Sequence, residues 1–571
     1  MKKIWREREI EGEARAPVAS GLLSRLLALR GLTAAEEIDQ FLNPDYERDL
    51  HDPFLLLDME RAVNRILIAI SAGEKIAIFA DYDADGVPAA VILTEFFKQI
   101  HYTNFTVYIP DRHEEAYGLN IPALKKLAAE GVKLVITVDC GISDIAPIAA
   151  ANEMGLDVIV TDHHLPPPVL PEAYAIVNPK REGDPYPFKE LAGAGVAFKL
   201  VQAMVKQGSP PVALVKKGWE KWLLDLVAVA TVADMVPLVG ENRALVHFGL
   251  KVLQHARRLG LRTLCQALGL ESEFLTEDDI GFSIGPRLNS ASRMSHGDEA
   301  YALLIATDPL EAEILARNLE GKNRDRRVRV DEILDHHLAV DCHEGVCVLG
   351  SPDWSLGVLG LVAGRLAERH NRPFFIWGRN GTGEIKGSCR GVAGLNMVEL
   401  MRTADEAGEK LFINYGGHMG AGGFSLLGNR LAELAPRLNR AHAKLASVND
   451  GVIVEELQYD LELALEQVNG ETLSLINQLS PFGLQNPKPV FLIPEVSLSS
   501  RRKFGNGSSH LELTLAHPVF GRIRAVQFFA GDLNSPPKAG EHLDLLASLE
   551  KSYFRNKPEF RLRLIDWRRS T

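Results

Sequence analysis

Short apolar runs alternate with amphipathic stretches from about Glu74 onward. Three of the runs are rich in Ile and Val, as buried parallel strands are: KIAIFA (75–80), KLVITV (133–138) and DVIVT (157–161). The stretches IPALKKLAAEG and SDIAPIAAANEMG lie between them and end in Gly, like capped helices. This βαβαβ pattern predicts a doubly wound parallel sheet, and ligands of such sheets bind beyond the carboxyl ends of the strands.

The pattern changes twice in the remainder of the chain. A charged stretch with helical period, from Asp308 to about Val340, predicts a long connecting helix interrupted near Gly321. A second α/β region follows, with VCVLG and PFFIWG as strands and two glycine-rich segments, GEIKGSCRG and GGHMGAGGF. Beyond Val452, alternating strands such as HLELTLAH and FRLRLIDW predict a small antiparallel barrel, for which an OB-fold is the natural candidate.

These changes divide the chain into five predicted parts. They are an N-terminal helical extension (1–73), a first α/β domain (74–305), the connecting helix (306–340), a second α/β domain (341–450) and the barrel (451–571). The predicted fold class is therefore α/β, with a C-terminal OB-fold β-barrel.

The composition of the 571 residues, 46% apolar and 24% charged, is that of a soluble protein. The chain has no apolar run of the roughly 20 residues that span a bilayer, and its first residues lack the apolar core of a secretory signal. The five cysteines, an odd number without a CxxC pair, are typical of a reducing compartment and argue against structural zinc. We therefore expect a cytoplasmic protein that does not enter a membrane.

Charge is distributed unevenly along the chain. The net charge is −12, yet residues 499–571 carry 13 Lys and Arg against 7 Asp and Glu. Such a basic module can bind nucleic acid although the body is acidic, because local potential attracts phosphate. Basic and aromatic residues lie together in Arg501-Arg502-Lys503-Phe504 and in Tyr553-Phe554-Arg555, a pattern that favours binding of single strands by stacking. Phe528 and Phe529 fit a barrel core equally well.

The densest acidic segment is DYDADG, in which Asp81, Asp83 and Asp85 follow a predicted buried strand. Carboxylates packed so closely repel one another, and a hard divalent cation such as Mg²⁺ or Mn²⁺ relieves the repulsion. A calcium loop of the EF-hand type does not fit, because its twelfth position needs Glu and this chain has Ile92 there. A solvated acidic turn that caps the next helix fits this segment equally well when it is taken alone.

Further candidate ligands follow the later apolar runs. Asp139 and Asp162 come directly after two predicted strands, and His163 and His164 follow Asp162. Adjacent residues on an extended chain point in opposite directions, so we expect one histidine to bind metal while the other faces substrate. Histidine among carboxylates favours Mn²⁺ over Mg²⁺. Taken singly, Asp139 is more typical of a helix cap, and Asp234, after VATVA, of a buried salt bridge.

The tripeptide Asp-His-His occurs a second time, at Asp335-His336-His337. This copy lies in the charged helical stretch and has no preceding strand to place it in a crevice. We interpret it as a solvated helix face.

Taken together, DYDADG, VDCG, TDHH and the Asp after VATVA resemble the successive motifs of the DHH phosphoesterase superfamily. GGHMGAGGF resembles the glycine-rich signature of its DHH-associated domain. IPDRHEEAYGLN, LAGAGVAFKL, WSLGVLGLVAGRL and PFGLQNPKPVF are similar to segments of bacterial single-strand-specific exonucleases in that superfamily. The resemblance extends over nearly the whole chain from about Glu74. It implies that the first α/β domain is a catalytic DHH domain, that the second is a DHH-associated domain and that the barrel is an OB-fold.

The resemblance also implies two ions, Mn²⁺ or Mg²⁺, bridged by one carboxylate. The implied ligands are Asp83 with support from Asp81 for one ion, Asp85, His163 and Asp234 for the other, and Asp139 as the bridge. Such a pair activates a water and stabilises charge on the attacking and leaving oxygens at phosphorus. His164 would then face the substrate or transfer a proton.

Other residues are implied to hold the terminal phosphate and the first nucleotides. They are Arg112, Tyr117, Ser388, Arg390, Gly416, Gly417 and His418, with Asn289 and Arg293 along the same channel. Arginine suits phosphate through bidentate hydrogen bonds, and glycine lets backbone N–H groups approach it. Taken singly, an Arg is usually a solvated residue and a Gly pair is usually a turn. Ser355 stands where the family often has His after Trp, so a role for that histidine does not transfer.

The function implied by the resemblance is a processive 5′-to-3′ exonuclease that releases mononucleotides from single-stranded DNA, in recombination and repair. Two alternatives stay open: a DHH hydrolase of short oligoribonucleotides, cyclic dinucleotides or pyrophosphate, and an inactive DNA-bound scaffold. The basic module counts against the first alternative, and the complete set of acidic and histidine residues counts against the second. The family also implies single-strand-binding protein and repair helicases as partners.

Overall fold

A computed structural model describes residues 3–10, 21–113, 115, 117–337, 345–379, 383–392, 394–446, 456–505, 509–528, 530, 536–552 and 559–570. The N-terminal region contains β1 (Ile4–Glu7), α1 (Leu22–Ala28), α2 (Ala35–Leu42), α3 (Tyr46–Asp49) and α4 (Met59–Ala72). Leu26, Leu27 and Phe41 lie in the hydrophobic core of the C-terminal barrel, whereas α4 packs in the core of the catalytic domain. The stretch expected to be a separate N-terminal extension is therefore divided between two cores.

The catalytic domain is built on a five-stranded parallel sheet in the order β3-β2-β4-β5-β6. The strands are β2 (Lys75–Ala80), β3 (Phe105–Tyr108), β4 (Val132–Val138), β5 (Asp157–Thr161) and β6 (Ala175–Val177). The helices are α5 (Gly86–Gln99), α6 (Ile121–Ala129), α7 (Ile145–Glu153), α8 (Gly193–Gln207), α9 (Leu224–Ala233), α10 (Gly240–Gln254), α11 (Leu259–Ala267), α12 (Glu277–Asp279), α13 (Gly285–Met294) and α14 (Asp298–Ile305).

Helices cover both faces of this sheet. Ile76 and Ile78 of β2 lie in the core with α4, α5, α8 and α9, while Ala77 and Phe79 lie in a second core with α6 and α7. Because alternate side chains of a strand face opposite ways, each strand needs apolar residues throughout, as its sequence has. The predicted doubly wound parallel sheet is confirmed.

The connecting helix α15 (Pro309–His337) is continuous over 29 residues. The predicted interruption at Gly321 is wrong. A glycine within a helix costs only about 1 kcal/mol of stability. Buried Ala312, Ala316 and Leu319 pack α15 against the catalytic domain. Asp335 is exposed in its last turn, and the side chains of His336 and His337 lie outside the described residues.

The second α/β domain has the strand order β10-β11-β9-β8-β7. Its elements are β7 (Cys347–Gly350), α16 (Leu359–His370), β8 (Phe374–Arg379), β9 (Glu384–Arg390), α17 (Met397–Asp405), β10 (Asn414–His418), β11 (Ala421–Leu427) and α18 (Leu431–Ala446). The β7–β8 pair is parallel and the other pairs are antiparallel. The segment GGHMGAGGF forms the β10–β11 hairpin.

The C-terminal domain is a closed five-stranded barrel in the order β14-β15-β16-β18-β17, completed by pairing of β14 with β17. Its elements are β12 (Glu456–Tyr459), β13 (Leu461–Glu462), α19 (Gly470–Asn477), β14 (Phe491–Phe504), β15 (His510–His517), β16 (Gly521–Gln527), β17 (His542–Ser552) and β18 (Glu559–Arg569). The predicted OB-fold barrel is confirmed, although β16 and β18 pair in parallel. β1 lies beside β12 in a separate small sheet.

Two further findings concern cysteines and membrane spans. Cys140, Cys265 and Cys389 are buried free thiols, and Cys347 is disulfide-bonded. Among the described residues, no helix combines the length and the apolar character needed to cross a bilayer.

Candidate active site

Acidic and histidine side chains converge at the carboxyl edge of the catalytic sheet. Asp81, Asp139 and Asp162 directly follow β2, β4 and β5, and Asp234 follows α9. Three groups have ligand atoms within 4.8 Å of one another: Asp81, Asp83 and Asp139; Asp85, His163 and Asp234; and Asp139, His163 and His164. All six residues predicted as metal ligands therefore lie in one crevice, with Asp139 shared between groups.

Asp139 has the features expected of a metal ligand. It is buried, and among the described residues its Oδ1 has no hydrogen-bond partner. His163 Nε2 lies 3.2 Å from that oxygen. The backbone of Asp139 has a φ of 62°, which is uncommon outside glycine. A buried carboxylate oxygen without a donor is costly, and a hard divalent cation would satisfy it, so the residues present fit such an ion.

The charges of this crevice are not balanced by the protein. Burial, followed by repulsion from neighbouring carboxylates, raises the pKa of Asp81, Asp85 and Asp139 well above the ordinary range. Burial and the charge of Asp83 raise the pKa of Asp234 to about 7. Desolvation and like charges both disfavour ionised carboxylates, and bound cations would reverse both effects.

The DYDADG segment is held by hydrogen bonds from two helices. Gly193 N–H and Ala194 N–H, in the first turn of α8, donate to Asp85 Oδ2 and Oδ1 at 2.7 and 2.6 Å. A helix N-terminus favours a carboxylate in this position. From α13, Asn289 Oδ1 accepts the Ala84 N–H at 3.1 Å. Asn289 thus orders the acidic loop, and its predicted contact with substrate stays a prediction.

The two histidines do not point in opposite directions. Their ring centroids are 4.6 Å apart, because β5 ends at Thr161 and the chain turns before His163 and His164. The premise that the two side chains point in opposite directions is therefore wrong, because both imidazoles face the acidic cluster. The division between one metal-binding and one substrate-facing histidine stays a prediction.

Asp162 orients His164 and is absent from the three ligand groups. Its Oδ1 accepts a hydrogen bond from His164 Nδ1 at 2.7 Å, and its Oδ2 accepts the Ile142 N–H at 2.9 Å. Burial works to lower the pKa of His164, but the hydrogen bond and the charge of Asp162 outweigh it and raise that pKa to about 9. Burial and the charge of His164 lower the pKa of His163 to about 3, which leaves this imidazole neutral and able to bind metal.

Arginines gather beside the acidic cluster. The Arg112 guanidinium lies 4.9 Å from the ring centroid of Tyr82, and Tyr82 in turn packs edge-on against Tyr117. Burial, then the charges of Arg112 and Arg326, lowers the pKa of Arg293 to about 9. Such a group of half-buried cations suits the phosphates of a nucleic acid.

Two polar residues of α15 have no motif to mark them, and the charge of one, Arg326, acts on Arg293. Among the described residues, Arg326 Nε and both amide atoms of Asn323 are buried without a hydrogen-bond partner. Both residues lie in a charged helical stretch that looks uniformly solvated in sequence. Their burial depends on how α15 packs against α13, which the sequence pattern does not reveal.

The second α/β domain places His418 and Arg390 close enough to act on His164 and Arg293 of the catalytic domain. Ser388 and Arg390 are on β9, and Gly416, Gly417 and His418 are on β10. Burial, then the charge of His164, lowers the pKa of His418, so the two histidines interact between the domains. The positive charge of Lys180, which follows β6, acts to lower the pKa values of His163, Asp234 and His418. The sequence motifs did not identify this residue.

On the barrel, one arginine of the predicted basic cluster is already paired with a carboxylate. Arg502 Nε and Nη2 donate to Glu512 at 2.7 and 3.0 Å, whereas Arg501 is exposed. Phe528 is half-buried, with guanidinium groups over its ring. Phe529 and Tyr553-Phe554-Arg555 lie outside the described residues.

Three family models match the chain: the DHH family N-terminal domain at residues 75–231, the DHHA1 domain at 343–444 and the RecJ OB domain at 459–566. The single-stranded-DNA-specific exonuclease RecJ of Haemophilus influenzae is 32% identical over 590 residues, which cover 99% of each chain. The chain belongs to the RecJ family. RecJ of Bacillus subtilis is 36% identical over 550 residues, which cover 95% of this chain and 67% of that protein.

Solved RecJ structures share the fold. RecJ of Thermus thermophilus in complex with Mn²⁺ is 28% identical and superposes with a TM-score of 0.80, covering 100% of this chain and 80% of that one. Its complex with Mg²⁺ is 27% identical with a TM-score of 0.74, covering 100% and 79%. RecJ-family membership confirms the resemblance to DHH single-strand-specific exonucleases.

Proposed function

We propose that this chain hydrolyses single-stranded DNA from the 5′ end and releases mononucleotides, using two Mn²⁺ or Mg²⁺ ions. The observation that carries the proposal is the convergence of three ligand groups in one crevice, two of which share Asp139, whose buried Oδ1 has no hydrogen-bond partner among the described residues. The names of the RecJ relatives support the substrate. The 5′-to-3′ polarity and the product length rest on the family resemblance.

The six candidate ligands would hold the ions in two sets. One set is Asp83 with support from Asp81, the other is Asp85, His163 and Asp234, and Asp139 belongs to both. When bound, the ions supply an activated water and stabilise charge on the attacking and leaving oxygens at phosphorus.

The remaining side chains bind the substrate and hold a proton. Arg112, Arg293 and Arg390 bind the terminal phosphate through guanidinium hydrogen bonds. Asp162 accepts a hydrogen bond from His164 Nδ1 and raises the pKa of this imidazole, so its other nitrogen, Nε2, can donate a hydrogen bond to a phosphate oxygen. Tyr117 Oη lies 3.5 Å from that Nε2 and lines the same side of the crevice.

Both alternatives are less well supported. A hydrolase of small oligonucleotides has no evident use for the RecJ OB domain at residues 459–566. An inactive scaffold would not need the complete ligand set in one crevice. We also propose a cytoplasmic role in recombination and repair; single-strand-binding protein and repair helicases as partners rest on the family alone.

Digestion of single-stranded DNA labelled at either end tests this function. We expect the wild-type protein to release 5′-labelled mononucleotides in Mn²⁺ and to release none in EDTA. Asp139→Ala should lose roughly 100- to 1,000-fold in kcat, the loss when a group stabilising transition-state charge is removed, and should still bind the strand.

Asp335→Ala is the matched control, because Asp335 belongs to the other Asp-His-His tripeptide and is exposed on α15. This variant should match the wild type. Full activity of Asp139→Ala in saturating Mn²⁺, or release of label only from the 3′ end, would overturn the proposed site or the proposed polarity.

A further inference from the structure

The segment PFGLQNPKPVF (481–491) leads into β14 and has no role in the proposed function. Residues 483–486 form a closed turn, the barrel turn. Gly483 N–H donates to the Asn486 carbonyl at 2.9 Å, and Asn486 N–H donates to the Gly483 carbonyl at 3.1 Å. The buried Asn486 side chain donates to the carbonyls of Leu479 and Pro481 and accepts a hydrogen bond from Arg30 Nε. The shape of the turn is therefore fixed within the C-terminal domain.

The barrel turn contacts the chain that follows Asp234. Leu238 is buried, and its N–H donates to the Leu484 carbonyl at 2.8 Å. A Cβ on Gly483 would lie 3.0 Å from Leu238 Cδ2 and 3.1 Å from Leu238 Cβ. The two segments thus meet where glycine permits a close approach. One residue earlier, the Pro237 carbonyl accepts a hydrogen bond from Asn242 Nδ2 at 3.0 Å.

Asp234 is less firmly held than the other candidate ligands of its ion. Two backbone N–H groups of α8 hold Asp85, whereas the described residues form no hydrogen bond to the Asp234 carboxylate. The Asp234 side chain is 30% exposed, against 1% for Asp85 and 3% for Asp139. Asp234 ends α9, and Met235, with a φ of 58°, turns the chain away from the helix. The position of the carboxylate therefore depends on the backbone to either side.

The barrel domain also reaches the backbone on the other side of this ligand. Lys488, just after the barrel turn, pairs with Asp278 of α12. A π-helical turn (Ile280–Ile284) follows α12 and packs on the last turn of α9, where a Cβ on Gly281 would lie 3.7 Å from Val232 Cγ1. The C-terminal domain thus braces the end of α9 and the segment after it.

We propose that Gly483 and the Leu484 carbonyl are positioning groups for Asp234, so that the docked barrel domain completes one of the two proposed metal sites. The inference rests on the proposed function and deepens it. The barrel turn touches neither the substrate nor an ion. It fixes the segment after Asp234, so that this carboxylate meets Asp85 and His163. A barrel that only bound DNA would have no influence on the affinity for metal.

Substitutions that add bulk at Gly483 test this role, because they push Leu238 away from the barrel turn. Isothermal titration with Mn²⁺ in the absence of DNA measures both proposed sites. We expect Gly483→Val to weaken one site roughly 10- to 100-fold, the usual effect of losing a group that orients a metal ligand, and to leave the other site unchanged. Gly483→Ala should lie between Gly483→Val and the wild type, and Asp234→Ala should weaken the same site further.

Kinetics separate this role from binding of DNA by the barrel. In limiting Mn²⁺, the kcat of Gly483→Val on single-stranded DNA should fall, and saturating Mn²⁺ should restore it. KM for a long strand in saturating Mn²⁺ should equal that of the wild type. Wild-type affinity for Mn²⁺ at both sites in Gly483→Val, or a higher KM without a change in that affinity, would overturn the inference.

Gly470→Val is the matched control. Gly470 begins α19 in the same domain, and a Cβ there would meet no atom within 4 Å. This variant should keep the wild-type affinity for Mn²⁺, KM and melting temperature. Equal losses of Mn²⁺ affinity in Gly470→Val and Gly483→Val would contradict a specific role of the barrel turn. If Gly483→Val does not fold, Gly483→Ala decides by the same criteria.

Hydrogen exchange of the full chain in EDTA distinguishes failure of this inference from failure of the proposed function. The Leu238 amide should exchange faster in Gly483→Val than in the wild type and Gly470→Val, whether or not DNA is hydrolysed. If the wild type binds no Mn²⁺, or Asp234→Ala binds it as the wild type does, the proposed function fails, and exchange alone decides whether the barrel turn orders the segment after Asp234. Equal exchange of Leu238 in the wild type and Gly483→Val would overturn the inference.

Discussion

Gly193 packs directly against Asp139, the proposed bridging ligand, and leaves no space for a methyl group. A Cβ on Gly193 would come within 2.5 Å of Asp139 Cβ. Asp139 is buried with a φ of 62°, so it cannot move away from a new methyl group without displacing its own carboxylate. We expect Gly193→Ala to lower kcat about 100-fold, as a displacement of about 1 Å does at a catalytic group, measured on end-labelled DNA in Mn²⁺.

Gly195 supplies the control on the same helix. A Cβ there would meet the nearest atom, Leu191 Cβ, at 3.4 Å, which is close to ordinary contact. Alanine also favours a helix over glycine by about 1 kcal/mol. Gly195→Ala should therefore keep the wild-type kcat and have a melting temperature at or above that of the wild type, and equal kcat values for the two variants would contradict the steric argument.

The same crevice should make the metal-free protein sensitive to pH. The pKa values of Asp81, Asp85 and Asp139 are raised in the folded state, and that of Asp234 reaches about 7. A raised carboxyl pKa contributes stability at acid pH that is lost as the pH rises through the folded value. In EDTA we expect the melting temperature to fall from pH 5 to pH 8.

Added Mn²⁺ should raise the melting temperature more at pH 8 than at pH 5, because binding replaces protons on these ligands. Asp139→Asn removes one buried charge, so its melting temperature in EDTA should fall less over the same range. Scanning fluorimetry at both pH values measures this, and an equal gain from Mn²⁺ at pH 5 and pH 8 would contradict it.

The strands of the catalytic sheet are the elements that sequence predicts best. The predicted strands 75–80 and 157–161 match β2 and β5, and 133–138 differs from β4 by one residue. A strand buried on both faces must be apolar at every position, so its signal is local. The acidic residues that end these strands could be placed at the sheet edge for the same reason.

Elements whose form depends on distant contacts are predicted less well. Gly321 does not break α15, the paired histidines face one way, and the N-terminal region divides between two cores. Asn323 and Arg326 carry no sequence signal, since a buried polar face of a charged helix looks solvated in sequence. Tertiary packing decides each of these features, and local pattern does not report it.

The connection between α10 and the barrel illustrates such packing. Arg243 Nε donates to the Phe41 carbonyl at 2.9 Å, and its Nη1 and Nη2 donate to the carbonyls of Leu479 and Ser480 at 2.9 and 2.7 Å. Lysine offers donors from one point, so Arg243→Lys would leave buried carbonyls unpaired. We expect a loss on the order of 3 kcal/mol in stability, seen as a lower urea midpoint in tryptophan fluorescence.

Arg262→Lys is the control for this change, because Arg262 lies on α11 and makes one long hydrogen bond, 3.4 Å, to the Ala256 carbonyl in an exposed setting. Its midpoint should equal that of the wild type. Identical midpoints for the two lysine variants would show that Arg243 does not secure the junction.

Positive and negative charge lie in different parts of the molecule: the barrel proposed to bind DNA is basic, and the proposed catalytic crevice is acidic. The barrel carries the positive excess and the catalytic crevice carries uncompensated carboxylates, in a chain of net charge −12. Binding of a strand releases counterions for each phosphate that the barrel neutralises. Arg501 is the better residue for a charge reversal, because Arg502 is already paired with Glu512 and a carboxylate at position 502 would lie beside that of Glu512.

We expect Arg501→Glu to weaken binding of a long single strand and to flatten the plot of log K against log salt by about 0.7 for each phosphate that the barrel no longer neutralises. Lys125→Glu makes the same change in net charge on an exposed site of α6, outside the barrel, and should leave the slope unchanged. Titrations by fluorescence anisotropy in EDTA, from about 50 to about 200 mM salt, measure both. Equal slopes for the two variants would mean that the total charge of the chain, rather than the surface of the barrel, governs the salt dependence of binding.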